Sequence, residues 1–225
     1  MEPIRISYFS DVLCVWAYIA QVRIEQLQKT FPDQVVLEYH FIPVFGSAIE
    51  KLEAKWCDRG GLAGYGQHIH EVAARFGHIT IHPEVWIKDP PISSMACNIF
   101  LYAVKLLEAQ EKLTTPPKTF ERTIQAFREA FFTQGRNIAH RQVQLDIADQ
   151  LGLPTDQILT QIANGAAYAE LFKDSEQVKQ HAVTVSPTLI FNEGRQRLNG
   201  NVGYRVIEAN IRELLNNPED EHSWC

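Results

Sequence analysis

The chain has 225 residues, 45% of them hydrophobic and 21% charged, with a formal net charge of −6. This is the composition of a globular chain able to build a sizeable core, and its length fits one domain with a large insertion or two small ones. The acidic balance and the lack of a lysine–arginine cluster argue against nucleic acid or an anionic membrane surface as partner.

Taken in chain order, IRISYF (4–9) has the β-branched and aromatic content of a strand. Ser10 and Asp11 are both N-cap types. Behind them, VWAYIAQVRIEQLQKTF places Val15, Tyr18, Ile19, Val22 and Leu27 near helical spacing. FPDQ ends that helix, and VVLEYHFIPVF (35–45) reads as a second strand closed by Pro43. A β-α-β opening joins parallel strands through a right-handed crossover. Its first strand-to-helix turn lies at the carboxyl edge of the sheet and at a helix N-terminus, both favoured places for chemistry.

The middle reads as helices: 47–60, then a glycine-rich start that becomes helical over 60–77. The strongest, 93–113, has Ser93 or Ser94 as cap; 116–135 has Pro117 and Lys118 in its first turn and Gly135 at its end. Helices over 140–153, 154–165 and 166–183 follow. SPTLIFN (186–192) is then a strand opened by Pro187, NEGR a turn, and QRLNG its hairpin partner. A last helix over 203–217 precedes a polar tail, 218–225. The order β-α-β, helices, β-β-α is that of an α/β thioredoxin fold with a large all-helical insertion domain. The expected domains are 1–45 with 184–217 for the thioredoxin-like part and 46–183 for the insertion.

MEPIRISYFS has no basic segment followed by a long apolar core, and no apolar run approaches the length of a bilayer. A cytoplasmic location is therefore expected. The four cysteines (Cys14, Cys57, Cys97, Cys225) form no CxxC or CxxH pattern, so neither a zinc site nor a disulfide framework is expected.

Cys14 stands where the first strand gives way to a helix. Unpaired N–H groups and the positive end of the helix dipole stabilise a thiolate there, so its pKa can fall from roughly 8.5 toward 7 or lower. The competing reading is a small buried hydrophobe. Pro187, at the first residue of a strand, has no ladder N–H to lose. If the Ser186–Pro187 bond is cis, the preceding backbone turns outward, where it could pair with an extended peptide or a thiol substrate; an isolated X–Pro bond is cis in only about 5% of cases.

YFSDVLCVWAYIA, FREAFFTQGRNIAHRQVQLDIADQLGL and AVTVSPTLIFNEGRQRLNGNVGYRVIEANI together resemble the DsbA-like thioredoxin superfamily. Within it the chain looks most like the FrnE-type dithiol-disulfide isomerases, relatives of kappa-class glutathione transferases and 2-hydroxychromene-2-carboxylate isomerases. The two ends and AFFTQGRNIA carry the resemblance most specifically; residues 46–92 match weakly. The resemblance implies that Cys14 is the attacking cysteine, that Trp16 lies inside the active-site turn, and that Pro187 is the cis-proline, preceded by Val185 and Ser186. It also places NGNVG (199–203) where glutathione-using members hold the tripeptide, with Asn201 as a contact.

Ala17 occupies the place of the resolving cysteine. A mixed disulfide at Cys14 would then need an outside thiol or another cysteine of the chain, such as Cys225. The expected function is a thiol-disulfide oxidoreductase with a single active-site cysteine (CxxA), with glutathione as co-substrate and no tightly bound cofactor. Its partners would be glutathione or protein thiols and disulfides, with a homodimer an open option. The alternatives are a glutathione-dependent transferase or isomerase, in which Cys14 steadies the sulfur of bound glutathione without attacking it, and a redox-inactive binding protein.

Three other stretches are read more blandly. His68, His70, His78 and His82 lack the HExxH order and are taken as surface or insertion histidines, not metal ligands. DRGGLAGYG (58–66) is expected as a flexible loop over the site, and Cys57 and Cys97 as core residues. Trp86, Pro90 and Pro91 of WIKDPPISS (86–94) are weighed equally as cleft walls and as packing.

Overall fold

A computed structural model describes residues 3–113, 115–191, 194 and 196–216; Cys225, the tail and most of the expected turn at 192–195 lie outside them. Strand β1 (Ile4–Ser10), helix α1 (Val15–Thr30) and strand β2 (Val35–Phe41) form the opening unit. β1 and β2 pair in parallel from Ile4 opposite Val35 to Ser10 opposite Phe41. Between β2 and the next strand lie α2 (Ala48–Trp56), a 3-10 turn (Cys57–Arg59), α3 (Gly61–Ala73), α4 (Met95–Ala109), α5 (Thr119–Phe132), α6 (Arg141–Gln150), α7 (Thr155–Ala163) and α8 (Ala166–Gln180). Strands β3 (Thr188–Phe191) and β4 (Gln196–Asn199) and helix α9 (Tyr204–Asn216) complete the α/β thioredoxin order with its helical insertion. The sheet runs β2-β1-β3-β4, with β3 antiparallel to both β1 and β4.

β1 is central, buried at Ile6 and from Tyr8 to Ser10, where both faces are covered, and open at Arg5 near its start. Ile6 and Tyr8 join a core that runs without a break through α1, the insertion helices and Ile211 of α9. Phe9 points the other way, into a small cluster with Ile42, Val183 and Ile190, covered by Val178 of α8. α4 is buried along Cys97–Val104 and again at Leu107, so it is apolar nearly all round, as a helix surrounded by others is.

Three local expectations are corrected, and of the two readings of Trp86 the structure takes packing. The glycine-rich stretch 58–66 is not a flexible loop but the 3-10 turn and the first turns of α3. Gly60 takes a left-handed φ of 85° to redirect the chain. A Cβ on Gly64 would sit 1.7 Å from the Arg59 carbonyl oxygen, and one on Gly66 2.8 Å from that of Val85. These glycines serve close packing. Lys118 lies in the left-handed region before α5, which starts at Thr119, and not in its first turn. Cys57 is exposed, since it falls on the turn after α2 where the amphipathic pattern has ended; Cys97 is buried, its Sγ donating to Ile138 O at 3.3 Å. Trp86 is a core side chain with a positive φ of 64°, its ring about 5 Å from those of Phe45, Tyr65 and Phe131.

Candidate functional site

Cys14 is itself the N-cap of α1, extended at φ −84° and ψ 115°. Asp11, read from the sequence as a cap, plays another part. The turn closes through Cys14 N–H donating to Asp11 O at 3.1 Å, and α1 begins with Tyr18 N–H donating to Cys14 O at 3.1 Å. The Cys14 thiol donates to Ser186 O at 3.3 Å across 172 residues. The Ser186–Pro187 bond is cis, and the Ser186 hydroxyl oxygen accepts the Asp11 N–H at 2.9 Å.

Cys14, Ser186 and Pro187 are thus brought together. Val185 beside them is 39% exposed, and its carbonyl oxygen already accepts the Thr188 hydroxyl at 2.8 Å. Ala17 is wholly buried in the core. Trp16 is half-buried, edge-on to Phe76 at 6.2 Å. Asn201 is held by Arg23, which donates to its Oδ1. Arg23 lies nine residues along α1 from Cys14, a rise of about 13 Å, so this side chain is not among those touching the sulfur.

The local electrostatics oppose the expected low thiol pKa. Burial pushes the Cys14 thiol up, and the charge of Asp11 adds to this. The Ser186 hydroxyl and the backbone N–H groups of Ala17 and Trp16 pull it down without prevailing. A helix N-terminus stabilises a thiolate, but desolvation at a residue that is 6% exposed outweighs it.

Three neighbours escaped the sequence reading. Asp11 is fully buried; its Oδ1 accepts Leu13 N–H at 2.9 Å and its Oδ2 accepts Phe45 N–H at 2.8 Å and the Ser94 hydroxyl at 2.9 Å. Burial raises its carboxyl from 3.8 to about 6, against the pull of these bonds. Lys51 of α2 donates to Val44 O, and burial lowers its pKa while Asp11 and Cys14 act in the opposite sense. Tyr65 of α3 also lies in the field of Cys14 and Asp11, which adds to burial in keeping its phenol protonated. The one sequence signal for Asp11 was an acid set between a buried strand and the apolar Val12 and Leu13; Lys51 and Tyr65 had none.

The histidines between 68 and 82 have separate tasks. His70 Nε2 approaches Pro83 O at 3.3 Å, His78 Nε2 approaches Ile19 O at 3.0 Å, and His68 stacks obliquely on Trp56. Among the described residues no three His, Cys, Asp or Glu side chains stand together as metal ligands. None of the described helices is long and apolar enough to cross a membrane.

Residues 5–212 match the DSBA-like thioredoxin domain. ClpXP adapter protein SpxH of Halalkalibacterium halodurans is 22% identical over 225 residues, covering 95% of this chain and 68% of that protein. Cytosolic disulfide reductase DsbM from Pseudomonas aeruginosa with GSH superposes at a TM-score of 0.67, with 16% identity over 92% of this chain and 99% of that one. A 2-hydroxychromene-2-carboxylate isomerase, HCCA isomerase, gives 0.63 with 12% identity over 97% and 100%.

Proposed function

This chain belongs to the DSBA-like thioredoxin domain family, and from that premise we propose that it is a monothiol disulfide exchanger acting through Cys14. The observation that carries the reading is the placement of the Cys14 sulfur. It lies at the N-terminus of α1, 3.3 Å from Ser186 O and beside Pro187, with Ala17 where a resolving cysteine would stand. The Cys14 thiolate attacks the glutathione sulfur of a protein–glutathione mixed disulfide, and the protein sulfur is the one displaced. One S–S bond forms at Cys14, one breaks, and the displaced sulfur leaves as a thiolate. A second glutathione thiolate then attacks the mixed disulfide, releasing Cys14 and oxidised glutathione. The cytosolic glutathione-bound relative is in keeping with this substrate class and with a cytoplasmic setting.

A second reading draws on one observation, the raised thiol pKa. A Cys14 that keeps its proton at neutral pH can hydrogen-bond through its S–H to the sulfur of bound glutathione and so steady that thiolate for transfer or isomerisation. Incubation with oxidised glutathione followed by intact mass measurement separates the two. A single adduct, lost in Cys14→Ser, supports exchange. No adduct between pH 7 and 9, together with glutathione binding measured by calorimetry, rejects exchange in favour of the second reading.

A further inference from the structure

FREAFFTQGRNIA (127–139) is an internal segment that carries the family resemblance, whereas the Cys14 thiol hydrogen-bonds to Ser186 O, far from it in the chain. Its Arg128, on α5, is fully buried. A guanidinium in the interior is expensive unless it is paired, and among the described residues no carboxylate forms an ion pair with this one. Instead Nη1 donates to Gln21 Oε1 at 2.9 Å and Nη2 donates to Ser10 Oγ at 3.0 Å. Its Nε is buried without a partner.

The two acceptors flank Cys14. Ser10 is the last residue of β1, and Gln21 lies in the second turn of α1. Farther along the same segment, Phe132 stacks on Tyr18 with ring centroids 5.0 Å apart, and Thr133 Oγ1 lies 2.9 Å from the Tyr18 hydroxyl. α5 therefore grips α1 at Tyr18 and Gln21 and the strand end at Ser10. On another side, Asp11 ties the same turn to Phe45 and Ser94. An apolar side chain of similar size would be cheaper to bury than an unpaired guanidinium. What arginine adds is a planar fork whose donors fix two acceptors in one geometry, which lysine cannot do.

We propose that Arg128 is a positioning residue for Cys14: it ties the end of β1 at Ser10 to the second turn of α1 at Gln21, across the turn that carries Cys14, and so holds the sulfur in its buried place against Ser186. The clamp sets the reactivity of the thiol, because burial is what holds the thiolate back. The proposal rests on Cys14 being the reacting group.

The test follows iodoacetamide labelling of the Cys14 peptide by mass spectrometry from pH 6 to 10, in wild type, Arg128→Met, Arg128→Lys and Gln21→Met. With the clamp released, water reaches the sulfur. The midpoint of the pH–rate profile then falls by about one unit, which makes labelling about tenfold faster at pH 7.5. Arg128→Lys, which keeps the charge and loses the fork, shifts in the same direction. A purely structural Arg128 lowers the melting temperature and leaves the profile where it was, and that result overturns the proposal. If Arg128→Met lacks the native near-ultraviolet circular dichroism, the profiles of Arg128→Lys and Gln21→Met decide by the same criterion. A wild-type Cys14 that labels at no pH fails the exchange reading itself, whereas a reactive wild type with unshifted variants fails the clamp alone.

Discussion

Asp11→Asn should change stability by an amount that depends on pH, and the dependence can be worked out in advance. Burial holds the Asp11 carboxyl at about 6, against 3.8 for the free group. Below 3.8 both the folded and unfolded chains hold the proton, and the group contributes no pH-dependent cost. As pH rises from there toward 6, the unfolded chain loses its proton while the folded one keeps it, so stability falls. Above 6 the full cost is about 3 kcal/mol, at about 1.4 kcal/mol per unit of pKa. Between pH 4.5 and 7.5 the linkage relation gives a change of about 2 kcal/mol from this group alone. Asparagine has no charge to bury. It does offer a donor where Asp11 accepts from Phe45 or Leu13, and one orphaned N–H costs about 1–3 kcal/mol at any pH. The variant is therefore less stable than wild type at pH 4.5, and the gap narrows or reverses by about 2 kcal/mol at pH 7.5. Urea unfolding of both proteins at the two pH values reads this directly, with all other titrations cancelling in the difference. A wild-type-minus-variant difference that stays constant within about 0.5 kcal/mol would refute the assignment of a buried, titrating Asp11.

The remaining expectations concern the thiol, the close glycines and the core. Alkylation of Cys14 should keep accelerating above pH 9, since burial raises its thiol above the ordinary cysteine range; a plateau by pH 7.5 would show that the helix terminus wins after all. Gly66→Ala places a methyl 2.8 Å from Val85 O, and Gly135→Ala places one 2.5 Å from His82 Nδ1 at a φ of 67°. Each should cost about 1–3 kcal/mol, or roughly 2–10 °C in a thermal melt, and unchanged melting would mean the neighbours yield freely. Phe127→Ala, at a fully buried position on α5, should cost about 3–5 kcal/mol in urea unfolding, and a loss below 1 kcal/mol would contradict the continuous core. Arg5→Ala removes an exposed pair with Glu38 and should change stability by less than about 1 kcal/mol.

What the sequence determined by itself was everything written in a local period. The β-branched and aromatic content of β1, the helical spacing in α1, the capped run of α4 and the turn bearing Cys14 all stand within a few residues of where the sequence puts them, because composition, caps and the 3.6-residue helical repeat are local signals. Pro187 and its neighbours were legible through their family resemblance, and the tertiary structure adds that Ser186 O meets the Cys14 thiol. Glycines at 60–66 were misread because glycine has two opposite uses, freedom in a loop and close approach in a helix contact, and only the neighbours at Arg59 and Val85 distinguish them. Cys57 and Cys97 are the same residue type in similar-looking helical surroundings, yet one is exposed and the other buried. Asp11 and Arg128 show the limit most plainly. Whether a charged side chain is solvated or buried, and so whether its pKa moves or its fork clamps a turn, depends on partners 34, 83 and 107 positions away in the chain. Local pattern carries no record of those partners, because desolvation is a property of the packed interior and not of the segment that supplies the charge.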